Sequence, residues 1–119
     1  MTQIRECGRT IGGGIVVFDI EWDDELPRGP VAWRVTVAND DGSEHVALVH
    51  ERSDNDFVAQ YVEAEGGRQR VAEDATVEEG HVTARFPVKV VGVATQWPVW
   101  KAAMVIDGET VSEKVLPST

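Results

Sequence analysis

Hydrophobic and polar residues alternate along much of the chain with the period of two that is typical of β-strands with one buried face. The alternation is clearest in residues 15–22 (IVVFDIEW) and 31–38 (VAWRVTVA). Weaker alternation predicts further strands at 44–51, 57–64, about 69–72, 81–88, 100–107 and 109–117. The chain is therefore predicted to consist mainly of short strands.

The same alternation predicts which side chains face the core. His50 has the parity of Leu48, so its imidazole is expected to point inward. Tyr61 has the parity of Phe57 and Ala59, and the three are expected to share the inward face of their strand. Polar and aromatic side chains would then meet between the sheets.

Residues that favour turns separate the predicted strands roughly every 8–12 positions. Asp40, Asp41 and Gly42 form one such signal, because an Asp-Gly pair suits the positive φ of a hairpin turn. No segment shows the period of an amphipathic helix of ordinary length. The pattern predicts an all-β fold, an antiparallel two-sheet β-sandwich of about seven to nine strands, with a small β-barrel as the alternative.

A chain of 119 residues suits a single domain. We expect residues 1–13 to form a flexible N-terminal segment and residues 14–117 to form the β-sandwich. Gly12, Gly13 and Gly14 precede a strand and no Lys follows them, so they are interpreted as a flexible lead into that strand. A phosphate-binding loop would instead follow a strand and open a helix.

The four tryptophans are predicted to differ in role. Trp22, Trp33 and Trp100 share parity with apolar neighbours and are interpreted as core residues. Trp97 precedes Pro98 in a bend and has no evident packing partner. An exposed indole at this bend could stack on a sugar or on another protein, and the alternative is that Trp97 folds back over the open end of the sandwich.

Composition and charge exclude several classes of partner. The content of 42% hydrophobic and 27% charged residues is that of a folded, soluble protein, and no apolar run of about 20 residues predicts a membrane helix. A net charge of −10 would repel the phosphate backbone, so nucleic acid is excluded as a partner. The first residues lack a secretory signal, which predicts a cytoplasmic protein, or else a secreted one whose signal sequence has been removed.

Few residues are candidates for chemistry. Cys7 is the single cysteine, which excludes an internal disulfide and a thiolate metal cluster. No catalytic motif is present, and His50 and Tyr61 are the candidates for an acid or a base. Asp40 and Asp41 are weak candidates for Ca²⁺, because their loop lacks the full pattern of oxygen ligands, and a turn-forming role is favoured. No cofactor is predicted.

Short motifs in the second half of the chain match those of a known group of domains. Residues 82–88 (VTARFPV), 100–108 (WKAAMVIDG) and the final Leu116-Pro117 resemble the closing strands of DOMON-like, immunoglobulin-like bacterial β-sandwich domains. Residues 19–42, which contain DIEW and PVAWRVTVANDDG, are compatible with the same group. The resemblance implies a sandwich that in some relatives binds haem through Met and His, and in others binds sugar through an aromatic clamp. This chain departs from both patterns: Met104 has the parity of core residues with no histidine obviously opposite it, and Trp97 is the single candidate for half of an aromatic clamp.

Two functions follow as hypotheses. The first is a non-catalytic binding or interaction module for a small molecule, a glycan or a protein, with candidate ligand-binding residues Trp97, Tyr61, His50 and Trp33. The alternative is a small cofactor-independent enzyme of cyclase or isomerase type, with His50 or Tyr61 acting in a pocket between the sheets. We expect a monomer or a homodimer, and the last strand (ETVSEKV) is the candidate edge for self-association.

Overall fold

The protein is built almost entirely of β-strands. The computed structural model describes residues 2–26, 29–53 and 58–116. The strands within these residues are β1 (Gln3–Gly12), β2 (Ile15–Asp23), β3 (Val31–Ala38), β4 (His45–Arg52), β5 (Val58–Ala64), β6 (Gly67–Val71), β7 (Ala75–Glu78), β8 (His81–Pro87), β9 (Val99–Ile106) and β10 (Glu109–Val115). A single helical turn, α1 (Val88–Val91), and a 3-10 helix (Gly92–Gln96) connect β8 to β9. No helix in the described residues has the length and apolarity needed to cross a membrane.

The strands form two sheets that pack face to face. One sheet has four strands in the order β1-β2-β8-β7, and the other has six in the order β10-β9-β3-β4-β5-β6. Every pairing is antiparallel. The predicted all-β, antiparallel two-sheet sandwich is therefore confirmed, with ten strands in the described residues where about seven to nine were expected.

The core lies between the sheets and contains the residues that the alternation selected in β2 and β3. Every second residue from Val16 to Trp22 is buried, and so is every second residue from Val31 to Val37. Trp100 on β9 is 1% exposed and joins the same core. Each large apolar side chain buried there stabilises the fold by about 1.5–3 kcal/mol. The core interpretation of three of the four tryptophans is confirmed.

The N-terminal residues form a strand where a flexible segment was expected. Gln3–Gly12 is β1, and it pairs with β2 along its length. A bulge between Ile4 and Glu6 shifts the register, so the period-two pattern is interrupted inside the strand. Gly13 and Gly14 both have positive φ and make the two-residue turn into β2, which explains the run of glycines.

The last strand is an edge of the six-stranded sheet, and β1 lies against it. The backbone N–H of Ile4 donates to Oγ of Ser112 at 2.9 Å, and Nζ of Lys114 donates to the carbonyl of Arg5 at 2.8 Å. These bonds join the two sheets along one side of the sandwich. On the other side the edge strands are β6 and β7.

The register of β4 and β5 contradicts the inward orientation predicted for Tyr61. His50 lies opposite Gln60, and Val49 lies opposite Tyr61. Residues that lie directly opposite each other share a face, so His50 and Gln60 point into the core while Tyr61 points to the outer face. The prediction was wrong because both faces of β5 carry apolar residues, so alternation could not select one. Phe57, predicted to share that face, lies outside the described residues.

The connection from β8 to β9, formed by α1 and the 3-10 helix, lies at one end of the sandwich. Val91 and Ala94 are buried in the core and anchor the two short helical turns. Ala38 at the end of β3 pairs with Val99 at the start of β9. The turn that follows β3 and the bend that precedes β9 are therefore neighbours.

Candidate functional site

An open cleft lies at the end of the sandwich where β3 ends and β9 begins. Its volume is about 390 Å³, and it is lined by Asn39, Asp40, Asp41, Val93, Gln96, Trp97 and Pro98. The sequence selected Trp97 because of its bend and the two aspartates because of their turn. The pairing of β3 with β9 brings these separately selected residues to one place, which makes the cleft the candidate site.

Asn39 holds the β3–β4 turn in its conformation. Its carbonyl accepts the backbone N–H of Gly42 at 3.1 Å, and its side-chain Oδ1 accepts the backbone N–H of Glu44 at 3.1 Å. Gly42 has φ of 74°, which an L side chain rarely adopts. Asp41 adds a local turn, because its Oδ1 accepts the backbone N–H of Ser43 at 2.9 Å. The acidic wall of the cleft is therefore built on a hydrogen-bonded turn.

Trp97 is held from both sides by backbone hydrogen bonds. Its N–H donates to the carbonyl of Ala94 at 3.1 Å, and its carbonyl accepts the indole N–H of Trp100 at 2.7 Å. The Trp97 side chain is half-buried and packs partly on the core, and Trp97 also lines the cleft. Both sequence interpretations of Trp97, a lid on the core and a surface aromatic, describe part of this arrangement.

The cleft carries negative charge and has no basic residue among those that line it. Asp40 and Asp41 are both exposed. Hydrogen bonds from the side chain and the backbone of Ser43 lower the pKa of Asp41, so this carboxylate is ionised at neutral pH. Within the described residues, no hydrogen bond or ion pair joins the Asp40 carboxylate to another side chain. The charge on this wall is thus available to a ligand.

The weak prediction of Ca²⁺ at Asp40 and Asp41 has no geometric support. In residues 2–26, 29–53 and 58–116, no group of three or more His, Cys, Asp or Glu side chains is placed to hold a metal ion. Ca²⁺ takes six to eight oxygens, and one oxygen of Asp41 is already engaged by the turn. The role that the structure shows for Asp41 is that of a turn residue.

His50 lies in a filled part of the core, as its parity predicted. Its side chain is 1% exposed, and its Nδ1 lies 2.9 Å from Oε1 of Gln60. The Trp33 ring packs beside it with a centroid distance of 5.7 Å. Gln60 is fully buried and also bonds the other sheet, because its Nε2 donates to the carbonyl of Arg85 at 3.0 Å and its Oε1 accepts the N–H of Asp74 at 3.1 Å. Gln60 was not predicted as a core residue; the available signal was an amide within the otherwise apolar segment VAQYV.

Tyr61 is separated from His50 by the thickness of the sheet. Its hydroxyl donates to Oε2 of Glu51 at 2.8 Å, and the guanidinium of Arg68 lies 4.6 Å from its ring centroid. Burial, followed by the nearby Glu51, raises the pKa of Tyr61 to about 12, so the phenol is neutral. The structure therefore does not bring together His50 and Tyr61, the two residues proposed as acid and base. Trp33 is also enclosed in the core and does not line the cleft.

The burial of His50 predicts that stability depends on pH. Burial is the largest influence and lowers the pKa of His50 below its ordinary value of 6.5. The hydrogen bond with Gln60 and the charges of Glu73 and Glu51 oppose this shift more weakly. Since the unfolded chain takes up a proton near pH 6.5 and the folded chain does not, the contribution is complete above that pH and is lost as the pH falls below it.

Urea unfolding at a series of pH values measures this effect. The free energy of unfolding should fall by at most about 1.4 kcal/mol per pH unit from this group. In His50→Gln the slope should flatten, whatever the absolute stability of the variant. His45→Gln is the control, because His45 is exposed, and it should keep the slope of the parent chain. Equal slopes in His50→Gln and the parent would contradict the prediction.

A larger open cleft, of about 630 Å³, lies at the opposite end of the sandwich. It is lined by Arg5, Trp22, Asp23, Asp24, Glu25, Leu26, Glu78, Glu79 and Gly80. Arg5 already lies 3.8 Å from the carboxylate of Asp23, and Trp22 is only 5% exposed. Acidic side chains alone do not specify a ligand, and this cleft has no accessible aromatic surface of comparable extent. The cleft at Trp97 is therefore the stronger candidate.

Comparison of the chain with protein-family models, curated proteins and solved structures gave no significant match. Its function is therefore argued from the geometry of the cleft.

Proposed function

We propose that the protein is a non-catalytic binding module whose ligand occupies the cleft between the β3–β4 turn and the Trp97 bend. The single observation that carries the proposal is the position of Trp97. Its backbone is held at both its N–H and its carbonyl, its side chain packs partly on the core, and the residue lines an open cleft. An aromatic ring held in this way loses little conformational freedom when a ligand binds.

The other lining residues complement the indole. Pro98 and Val93 extend the apolar surface, while the amides of Asn39 and Gln96 and the carboxylate of Asp40 provide hydrogen-bonding groups. Ligand sites typically combine an apolar surface with a few polar groups that orient the bound molecule. A small molecule, a glycan or a segment of another protein fits this description, and the DOMON-like resemblance is compatible with a sugar.

The enzyme hypothesis receives no comparable support. It required His50 and Tyr61 to act in one pocket between the sheets. The imidazole of His50 is enclosed by Trp33 and Gln60, and Tyr61 lies on the outer face. A binding module at Trp97 requires neither residue to reach a ligand.

The proposal predicts that ligand capture depends on Trp97. Glycan and peptide arrays probed with the labelled protein should give signals that Trp97→Ala weakens by at least about tenfold, as expected for an aromatic residue at the centre of a site. Val77→Ala is the control, because Val77 is 49% exposed and lies on β7, which contributes no residue to the cleft. The control should retain every signal. If Trp97→Ala binds each captured molecule as well as the parent does, the proposed site is wrong.

A further inference from the structure

We propose that the occupant of the Trp97 cleft is a cationic side chain, an arginine or a lysine, carried by an extended segment of a partner polypeptide. This inference rests on the proposed function and specifies the chemistry of its ligand. The cation would lie against the Trp97 indole with its charge directed toward Asp40 and Asp41.

Charge complementarity is the first argument. Asp40 and Asp41 supply two exposed carboxylates, and no Lys or Arg is present among the residues that line the cleft. Some acidic residues elsewhere have basic partners within the chain, as in the pairs Arg34–Glu63 and Lys101–Glu113. The carboxylate of Asp40 has no such partner in the described residues. A positively charged ligand would supply the ion-pair partner that the Asp40 carboxylate lacks in the described residues.

The second argument is the combination of these carboxylates with an indole. A cation over the face of a tryptophan is attracted by the negative potential of the ring. The aliphatic stem of an arginine or lysine would meanwhile pack on Pro98 and Val93, because such side chains bury their methylene groups and keep the charged end in a polar environment. One arginine or lysine side chain would therefore place its charged end at the indole and the carboxylates, and its methylene groups on Pro98 and Val93.

The apolar residues around the cleft favour a polypeptide over a free amine. Val93 is 68% exposed and Val99, next to Pro98, is 47% exposed. A small amine that filled the cleft would leave Val99 in water, because Val99 does not line the cleft. The residues that flank a bound arginine or lysine in a peptide would cover it, which removes apolar surface from water.

The test compares two variants that remove the same amount of charge. Asp40→Asn with Asp41→Asn neutralises the cleft, and Asn at position 41 keeps an oxygen for the N–H of Ser43. Glu78→Gln with Glu79→Gln neutralises two exposed residues at the opposite end of the sandwich. Fluorescence anisotropy would measure the binding of a short labelled peptide of alternating glycine and arginine, with a glycine-glutamine peptide as the neutral probe.

We expect the Asp40/Asp41 variant to bind the arginine peptide about tenfold more weakly than the parent at low salt, and the Glu78/Glu79 variant to bind within about twofold. The difference should shrink at high salt, and Trp97→Ala should weaken binding in both salts. Equal weakening in the two charge variants would overturn the inference, because it would show attraction to net charge alone.

Failure of the inference and failure of the proposed function give different results. If neutral peptides or oligosaccharides bind with dependence on Trp97 and without dependence on Asp40 and Asp41, the cationic occupant is wrong and the binding site stands. If no probe depends on Trp97, both are wrong.

Discussion

Replacement of Gln60 by leucine should lower the free energy of unfolding by about 3–5 kcal/mol. Gln60 is fully buried, and its amide bonds three groups: Nδ1 of His50, the backbone N–H of Asp74 and the carbonyl of Arg85. Leucine has a similar volume and no polar atoms, so all three groups would lose their partner. A buried polar group left without a hydrogen bond costs about 1–3 kcal/mol.

Urea unfolding of Gln60→Leu and of a matched surface variant would measure this loss. Gln69→Leu is the control, because Gln69 lies on the edge strand β6 and is exposed. Its stability should change by no more than about 0.5 kcal/mol. If the two variants are equally stable, Gln60 does not connect the sheets in the way that its hydrogen bonds indicate.

Replacement of Trp100 by alanine should destabilise the fold by about 3–5 kcal/mol, because it removes one of the largest buried side chains. Trp100 is 1% exposed, and the guanidinium of Arg9 lies 4.1 Å from its ring centroid. The same indole donates its N–H to the carbonyl of Trp97. Trp100 therefore supports the core and the cleft at once, and two substitutions separate these roles.

Trp100→Phe keeps most of the apolar ring and removes the N–H donor. We expect a smaller loss of stability, about 1–3 kcal/mol, together with weaker ligand binding, since the Trp97 bend loses one of its two backbone anchors. Denaturant unfolding and the array measurement on the same variant would report the two effects. Unchanged binding by a folded Trp100→Phe protein would show that the hydrogen bond does not position the cleft.

The parts of the fold that were predictable from sequence are those with one apolar and one polar face. β2 and β3 have this pattern, and their inward residues were identified correctly. β5 does not, because its outer face is covered by charged side chains that allow Tyr61 to be buried there as well. Apolar residues therefore occur on both faces of β5, and its pairing with β4 determines which face points into the core.

β1 was missed for a different physical reason. Its sequence is polar and contains a bulge, so alternation is interrupted between Ile4 and Glu6. Its stability comes from pairing with β2 and from bonds to β10, which lies more than 100 residues away in the chain. Interactions of this range leave no local pattern in the sequence.

The candidate site was predicted in pieces. Trp97 was recognised from its place before Pro98, and Asp40 and Asp41 from their turn. Their proximity depends on the pairing of β3 with β9, two strands separated by about 60 residues, which the alternation of either strand does not encode. The sequence could therefore select the residues of the cleft without showing that they line one site.

The most direct test of the central claim is a ¹⁵N–¹H correlation spectrum of the indole N–H groups during titration with the glycine-arginine peptide. The chain has four tryptophans, so four indole signals are expected, and Trp97→Phe assigns the one from the cleft. We predict that the Trp97 signal shifts with saturation, while the signals of the buried Trp22, Trp33 and Trp100 shift little. Titration shifts that leave the Trp97 signal in place would contradict the assignment of the binding site to this cleft.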